Sequence, residues 1–488
     1  MIEQSEQKTR TVETGQVRFT TDFTCGAGES LRQLRPDHLA LSIPADPDSI
    51  EVAKGYDYFF CASLSNRTPE HLTFTVDAKR PDAAGRETRW QPSRVPVFIS
   101  EDFRSWYVMD QSLASENHEE YQIIIPLHPH QSIYLSNSLP CPSASMASWL
   151  KRIAEDPRRK ATLTPIGHSV QGREILLLTL GESGEGTSGK DRILVTSGLH
   201  PAEADWLITT AIIEELLRES SWSARVLREF VIDIVVQANP DGFDLGKNGC
   251  NARGVNLYWD FRADDGGTSP EAVCLWRWIQ DHPPSIYLDF HSYVHQLHKD
   301  FRPYIRPLVD YPRPAQPLAR RINRRLISLC EGRLVRGKST NEPTTLAAQI
   351  TKSFGTITYT KFHTHLNHGV EACRRLGLDV FRAVVDEASR FRPLAPRTVQ
   401  AVHRPSSWDR LRQRIARHRM TSKLRSLEER VRLKLGSMSQ LSKGLVATHR
   451  TEGLREHWRS HLWSGRDHLP PVIVLDDPVG TRSRPASP

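Results

Sequence analysis

The sequence predicts an α/β fold in which a mixed, mostly parallel sheet flanked by helices follows an antiparallel β-sandwich domain and precedes a basic helical tail. Three observations carry this. From about residue 161 to 390, apolar strand-like runs alternate with amphipathic stretches of helical period, the pattern of a sheet covered on both faces. Between residue 17 and about 140 the apolar runs are shorter and are parted by Pro, Gly and Asp turns, as in a sandwich. After about residue 396 the composition turns basic. Residues 401–488 hold 18 Lys plus Arg against 8 Asp plus Glu, so this stretch carries +10 while the whole 488-residue chain carries +8. The basic character belongs to the tail and not to the body.

Taken in order, residues 1–15 are polar and are expected to be disordered. The sandwich, residues 16–142, draws its expected strands from 56–61, 72–76 and 121–126. The α/β domain, residues 143–395, opens on a helix over 143–153 with Met146, Leu150 and Ile153 on one face. Its strands are expected at 175–180, 193–196, 230–236, 285–290 and 356–360. Ser269 and Pro270 occupy the N-cap and first position of a helix carrying Val273, Leu275, Trp276 and Ile279; Glu271 beside them is expected to be a surface residue complementing the helix dipole. Residues 396–468 form a basic helical extension, with Trp408, Leu411 and Ile415, then Leu424, Leu427, Val431 and Leu435, at helical spacing among arginines. Residues 469–488 are expected to be a disordered tail.

Several function classes drop out. No run approaches the roughly 18 apolar residues of a membrane span, and the N-terminus lacks a basic-then-apolar leader pattern, so the expected location is the cytoplasm. Seven scattered cysteines without CxxC pairing read as reduced, buried thiols. A nucleic-acid role is not expected, because the basic tail has few aromatics and no recognition module precedes it. An acidic partner suits that tail better, if it is more than a solvated face.

The chemistry gathers in two places. Leu199-His200-Pro201-Ala202-Glu203 follows a short β-rich run, and about ninety residues later Asp289-Phe290-His291-Ser292-Tyr293 ends a second one. Two imidazoles and one carboxylate bind Zn²⁺ and leave a fourth position for water. The ends of neighbouring parallel strands converge on one crevice, which brings His200, Glu203 and His291 together, with Glu203 expected in the first turn of the helix that follows.

Around these residues the chain resembles the zinc metallocarboxypeptidases of the M14 family, in the cytosolic carboxypeptidase branch that carries an N-terminal β domain. The matching stretches, in the family's order, are Ser169-Val170-Gln171-Gly172-Arg173, Ser197 to Glu203, Asn239-Pro240-Asp241-Gly242, Gly254-Val255-Asn256-Leu257 and Asp289 to Tyr293. The resemblance covers most of residues 15–390. It implies a carboxypeptidase-like fold, one zinc ion per chain held by His200, Glu203 and His291, and hydrolysis of a peptide or small amide substrate.

The resemblance fails where a conventional carboxypeptidase would act. Thr360 aligns with the family's general-base Glu, and a hydroxyl is no base near neutral pH. Gly249 falls on the oxyanion arginine, and Tyr258-Trp259 on the Asn-Arg pair that holds the substrate's terminal carboxylate. Asn256 stands where the family has an Asp behind the first zinc histidine. Glu342 and Glu371 are the acids nearest in sequence to the late strand, and Arg253 or Lys247 could supply a relocated cation. Arg253, Tyr258, Trp259 and Tyr293 are the expected substrate-binding residues. Two readings stay open: an amide hydrolase of altered specificity, and a catalytically impaired zinc-binding pseudopeptidase serving as a binding scaffold.

Overall fold

Apolar residues that recur without a polar face, as in Phe230-Val231-Ile232-Asp233-Ile234-Val235, can be satisfied only where both sides of a strand are covered. That strand is buried along its whole length. The computed structural model describes residues 9–394, apart from 45, 47–58, 80–95, 111–112, 117–119, 182–189, 294–301, 330–334, 337–343, 367–368 and 392–393.

The central sheet has eight strands. Their order is β12 (Ala161–His168), β13 (Glu174–Leu180), β15 (Phe230–Val235), β14 (Asp191–Thr196), β16 (Ile286–Tyr293), β19 (Ile357–His365), β17 (Arg302–Ile305) and β18 (Val335–Arg336). The middle four, β15, β14, β16 and β19, are mutually parallel, while β12 and β13 run antiparallel at one edge and β17 runs antiparallel to β19 at the other. The five strands expected in this region, at 175–180, 193–196, 230–236, 285–290 and 356–360, form as β13, β14, β15, β16 and β19.

Among the described residues eight α-helices accompany the sheet: α1 (Ser143–Glu155), α2 (Trp206–Leu216), α3 (Ser221–Glu229), α4 (Pro240–Asp244), α5 (Pro270–Asp281), α6 (Gln316–Leu329), α7 (Leu346–Phe354) and α8 (Val370–Ser389). Strand alternation sends Ile193, Val195, Ile232 and Ile234 into one core with α2, α6 and α8, and Leu194 and Val235 into another with α5 and α7. Helix α2 is buried almost all round, because α8 covers its outer side. That packing is close at Gly377 of α8: a Cβ there would lie 2.1 Å from Cγ2 and 3.0 Å from Cβ of Ile208. Branched atoms so near the backbone cannot swing away. Overpacking costs about 1–3 kcal/mol, somewhat offset by alanine's better helix propensity. Gly377→Ala is expected to lose about 2 kcal/mol of stability in urea unfolding; no loss would mean the two helices can separate freely.

Before this sheet come two smaller ones that share a core. One runs β1 (Thr11–Glu13), β2 (Val17–Thr20), β5 (Cys61–Asn66), β11 (Ser132–Ser136), β7 (Phe98–Ser100) and β8 (Tyr107–Val108), all antiparallel. The other runs β3 (Glu29–Arg35), β4 (His38–Ser42), β6 (Leu72–Lys79), β10 (Glu120–Leu127) and β9 (Ala114–Glu116), with β4 and β6 parallel. Phe19 and Leu64 from the first and Phe74, Val76 and Ile123 from the second meet in the buried interior. The strand expected over 56–61 begins only at Cys61; residues 56–58 lie outside the described set, as does the basic extension from residue 396 onward. The two smaller sheets and the central sheet belong to one compact unit.

Ser269 caps α5 as its pattern predicts, accepting from the Ala272 N–H. Glu271 does not stay at the surface. It is 2% exposed and accepts from the Val170 N–H at 3.2 Å and from Asn251 Nδ2 at 3.1 Å, because the β12–β13 hairpin folds over the start of the helix. Five of the six described cysteines are buried, and among the described residues no helix is long and apolar enough to cross a membrane.

Candidate metal centre

Strand β14 ends at Thr196, and the chain turns through Gly198, whose φ of +69° is a left-handed conformation suited to glycine. Both oxygens of Asp205 accept from the Gly198 N–H, at 3.0 and 3.1 Å, and close the 198–205 segment into a loop. Burial, with Glu203 close by, pushes the Asp205 carboxyl well above the usual carboxylate range. Glu203 therefore sits in the turn before α2, three residues ahead of the helix, and not in its first turn. His291 lies on β16, beside β14 in the sheet.

The three side chains are wholly buried and meet. His200 Nδ1 lies 2.9 Å from Glu203 Oε1, and His291 Nδ1 lies 2.9 Å from Glu203 Oε2. Ligating atoms of all three fall within 4.8 Å of one another. The far nitrogens are engaged too. His200 Nε2–H donates to Asn256 Oδ1 at 3.0 Å, and His291 Nε2–H donates to Asp289 Oδ2 at 3.1 Å. Each outer bond places a proton on Nε2 and so turns the Nδ1 lone pair inward, toward Glu203. Two inward nitrogen donors and one carboxylate, each oriented from behind, are the donor set zinc takes, so the residues present fit that ion.

Without an ion, the same groups hold one another as a charged network, with a proton in the place the metal would take. Burial alone would raise Glu203, but His291 and His200 outweigh it and bring the carboxyl down to about 2. Burial alone would lower His291, but Asp289 and Glu203 bring it up to about 10. Asp289 is in turn bound by Thr196 Oγ1 at 3.0 Å, and Thr196 by Tyr287 Oη at 2.8 Å.

The remaining expected residues divide. Tyr258 is buried in the short 3-10 turn Leu257–Trp259; its ring centroid lies 5.3 Å from that of His291 and 5.8 Å from that of His200, and Trp259 packs edge-on against it at 4.8 Å. The Tyr258 N–H also donates to Asn256 Oδ1, so one amide oxygen serves both the first histidine and the aromatic turn. Arg253 is exposed and Lys247 half-buried on the same loop. Glu371 is exposed in the first turn of α8, 3.6 Å from Arg375. Glu342 and the side chains of Thr360 and Tyr293 lie outside the described residues.

Strand pairing adds something no pattern announced. Leu288 pairs with Tyr359 but Phe290 with Phe362, so β19 carries one extra residue opposite Asp289. Simple two-residue alternation does not run through Thr360 and Lys361. Asp205 and Asp289 do flank the ligand motifs in sequence. Asp46 and Asn248, which shape the neighbouring loop, carry no local signal.

Residues 146–363 match the family model described as zinc carboxypeptidase. Cytosolic carboxypeptidase 2 of Danio rerio is 26% identical over 175 residues, which is 33% of this chain and 24% of that protein. Carboxypeptidase B of Astacus astacus is 26% identical over 184 residues, 30% of this chain and 59% of that one. The chain thus spans a quarter or less of the cytosolic relatives it matches. Among solved structures, a metallo-carboxypeptidase from Burkholderia cenocepacia superposes with a TM-score of 0.62 at 20% identity, covering 77% of this chain and all of that one, which establishes the fold. Residues 146–363 thus match the zinc carboxypeptidase family, and the chain is similar to that family's cytosolic branch.

Proposed function

We propose that the protein is a zinc-dependent hydrolase of peptide or small amide bonds, of the carboxypeptidase type but with altered specificity. The observation that carries this is the orientation of the two histidines, both offering Nδ1 toward Glu203 while Asn256 and Asp289 hold their Nε2 protons. One ion per chain would be held by His200, Glu203 and His291. When bound, zinc polarises a carbonyl and makes water a better nucleophile. Around it the chain supplies burial and an aromatic wall. Tyr258 packs against both imidazoles where the family's carboxylate-binding pair would lie, so the substrate end it accepts is apolar, aromatic or amidated in place of a free carboxylate. Trp259, Arg253 and Tyr293 complete the substrate-binding set in this reading. The sandwich of residues 16–142 and the α/β domain of 143–395 work as one body, in the cytoplasm, and the basic extension 396–468 serves an acidic partner.

One observation favours the second reading, an impaired zinc-binding scaffold. The backbone at Gly249, the position of the family's oxyanion arginine, is held by a buried carboxylate, that of Asp46, so a negative group stands near a place that normally carries a cation. Metal analysis with peptide-library hydrolysis separates the two. One zinc per chain, with cleavage of amidated peptides abolished in His200→Ala, is expected of the enzyme. Zinc without any turnover would leave the scaffold, and no stoichiometric zinc would sink both.

A further inference from the structure

We propose that Asp46, carried by the β-sandwich, is a positioning residue for the metal centre, acting through the loop that orients His200. The proposal rests on the zinc reading above. Asp46 is distant in sequence from that loop, yet it is 2% exposed. Its carboxylate gathers three consecutive backbone donors. The Asn248 N–H donates to Oδ1 at 3.3 Å, and the N–H groups of Gly249 and Cys250 donate to Oδ2, the latter at 2.7 Å. Successive N–H groups converging on one anion form a nest, and such charge-assisted bonds are roughly twice as strong as neutral ones. Asn248 ties the loop to the sandwich a second time, its Nδ2 donating to Pro44 O at 2.9 Å and its Oδ1 accepting from the Phe59 N–H at 2.8 Å.

Two routes lead from the gripped loop to the ligands. The Asn248 carbonyl accepts from the Ala202 N–H at 3.1 Å, in the turn between His200 and Glu203. Cys250 pairs with Asn256 through an isolated antiparallel bridge, and Asn256 Oδ1 accepts the proton of His200 Nε2. None of the three backbone contacts of Asp46 is with a ligand residue. Its influence passes through the position of Asn256, and metal ligands lose affinity when such outer partners move.

A merely structural carboxylate would lower stability and leave metal affinity alone. The test is the zinc dissociation constant of the full chain, measured against a chromophoric chelator, with the visible spectrum of the cobalt-loaded protein as a second readout. Asp46→Ala is expected to weaken zinc about 10- to 100-fold and to change the cobalt spectrum. Asp46→Asn, which keeps the shape and one acceptor oxygen, should fall between and serves if the alanine variant does not fold. Asp77→Ala removes another buried carboxylate of the sandwich, one bound to His38 and Gln122, and should retain wild-type affinity. Wild-type affinity and spectrum in both Asp46 variants would overturn the proposal, as would equal weakening in Asp77→Ala. A wild-type chain that takes up no zinc would overturn the metal reading and this proposal with it, a failure visible before any variant is made.

Discussion

His291→Ala is expected to destabilise the metal-free protein by about 3–5 kcal/mol, the usual cost of leaving a buried charge without its partner. The imidazole bridges two carboxylates, Glu203 and Asp289, all three nearly inaccessible to water. Removing it leaves Glu203 with His200 and the Ser292 N–H, and Asp289 with Thr196. The pH for the measurement follows from the shifts. His291 is raised to about 10, so its contribution is complete below its ordinary value of 6.5 and fades as pH climbs through 10. Glu203 is lowered to about 2, so its contribution is complete above its ordinary 4.5 and fades only as pH falls through 2. Both are whole between 4.5 and 6.5. Urea unfolding in that window, with chelator present, should show the full loss; a midpoint unchanged from wild type would mean that the imidazole carries no charge between the two acids.

Thr360→Glu is expected to raise kcat/KM on amide substrates by about 10²- to 10⁴-fold, the range a positioned general base contributes. The hydroxyl at that position cannot take a proton from attacking water near neutral pH, whereas a carboxylate can. The measurement is hydrolysis of matched peptides ending in amide and in free carboxylate, with zinc content verified in each preparation. Because Tyr258 and Trp259 are untouched, the gain should favour the amidated peptide. A flat rate would mean either that another residue already provides the base or that the extra residue in β19 has turned position 360 away from the substrate, and the proposed role of this position would then be abandoned.

Much of the fold was legible because the physics is local. Runs such as 230–236 are too apolar for a strand with a wet face, and they became the parallel centre of the sheet. The ligand motifs were legible for a related reason: each lies at or just past the C-terminal end of a parallel strand, so strand order alone brings His200 near His291. The cap of α5 was also plain from Ser269 and Pro270, yet the burial of Glu271 was not, since it depends on a hairpin about a hundred residues earlier folding over the helix start. The bulge opposite Asp289 and the grip of Asp46 belong to the same class. They are properties of pairings between distant segments, and no window of sequence contains both partners.

The contacts between sandwich and sheet bear on whether the α/β part could be lifted out and used alone. Besides the Asp46 nest, Ser138 Oγ donates to Ala202 O between two ligands, Trp206 Nε1 donates to Leu139 O at the head of α2, and Gln237 Nε2 donates to Cys141 O. Severing the chain ahead of α1 would expose every one of these polar atoms on the side of the ligand loop. Modularity in this protein is therefore a property of its sequence map and not of its mechanics: the sandwich behaves as the back wall of the metal centre.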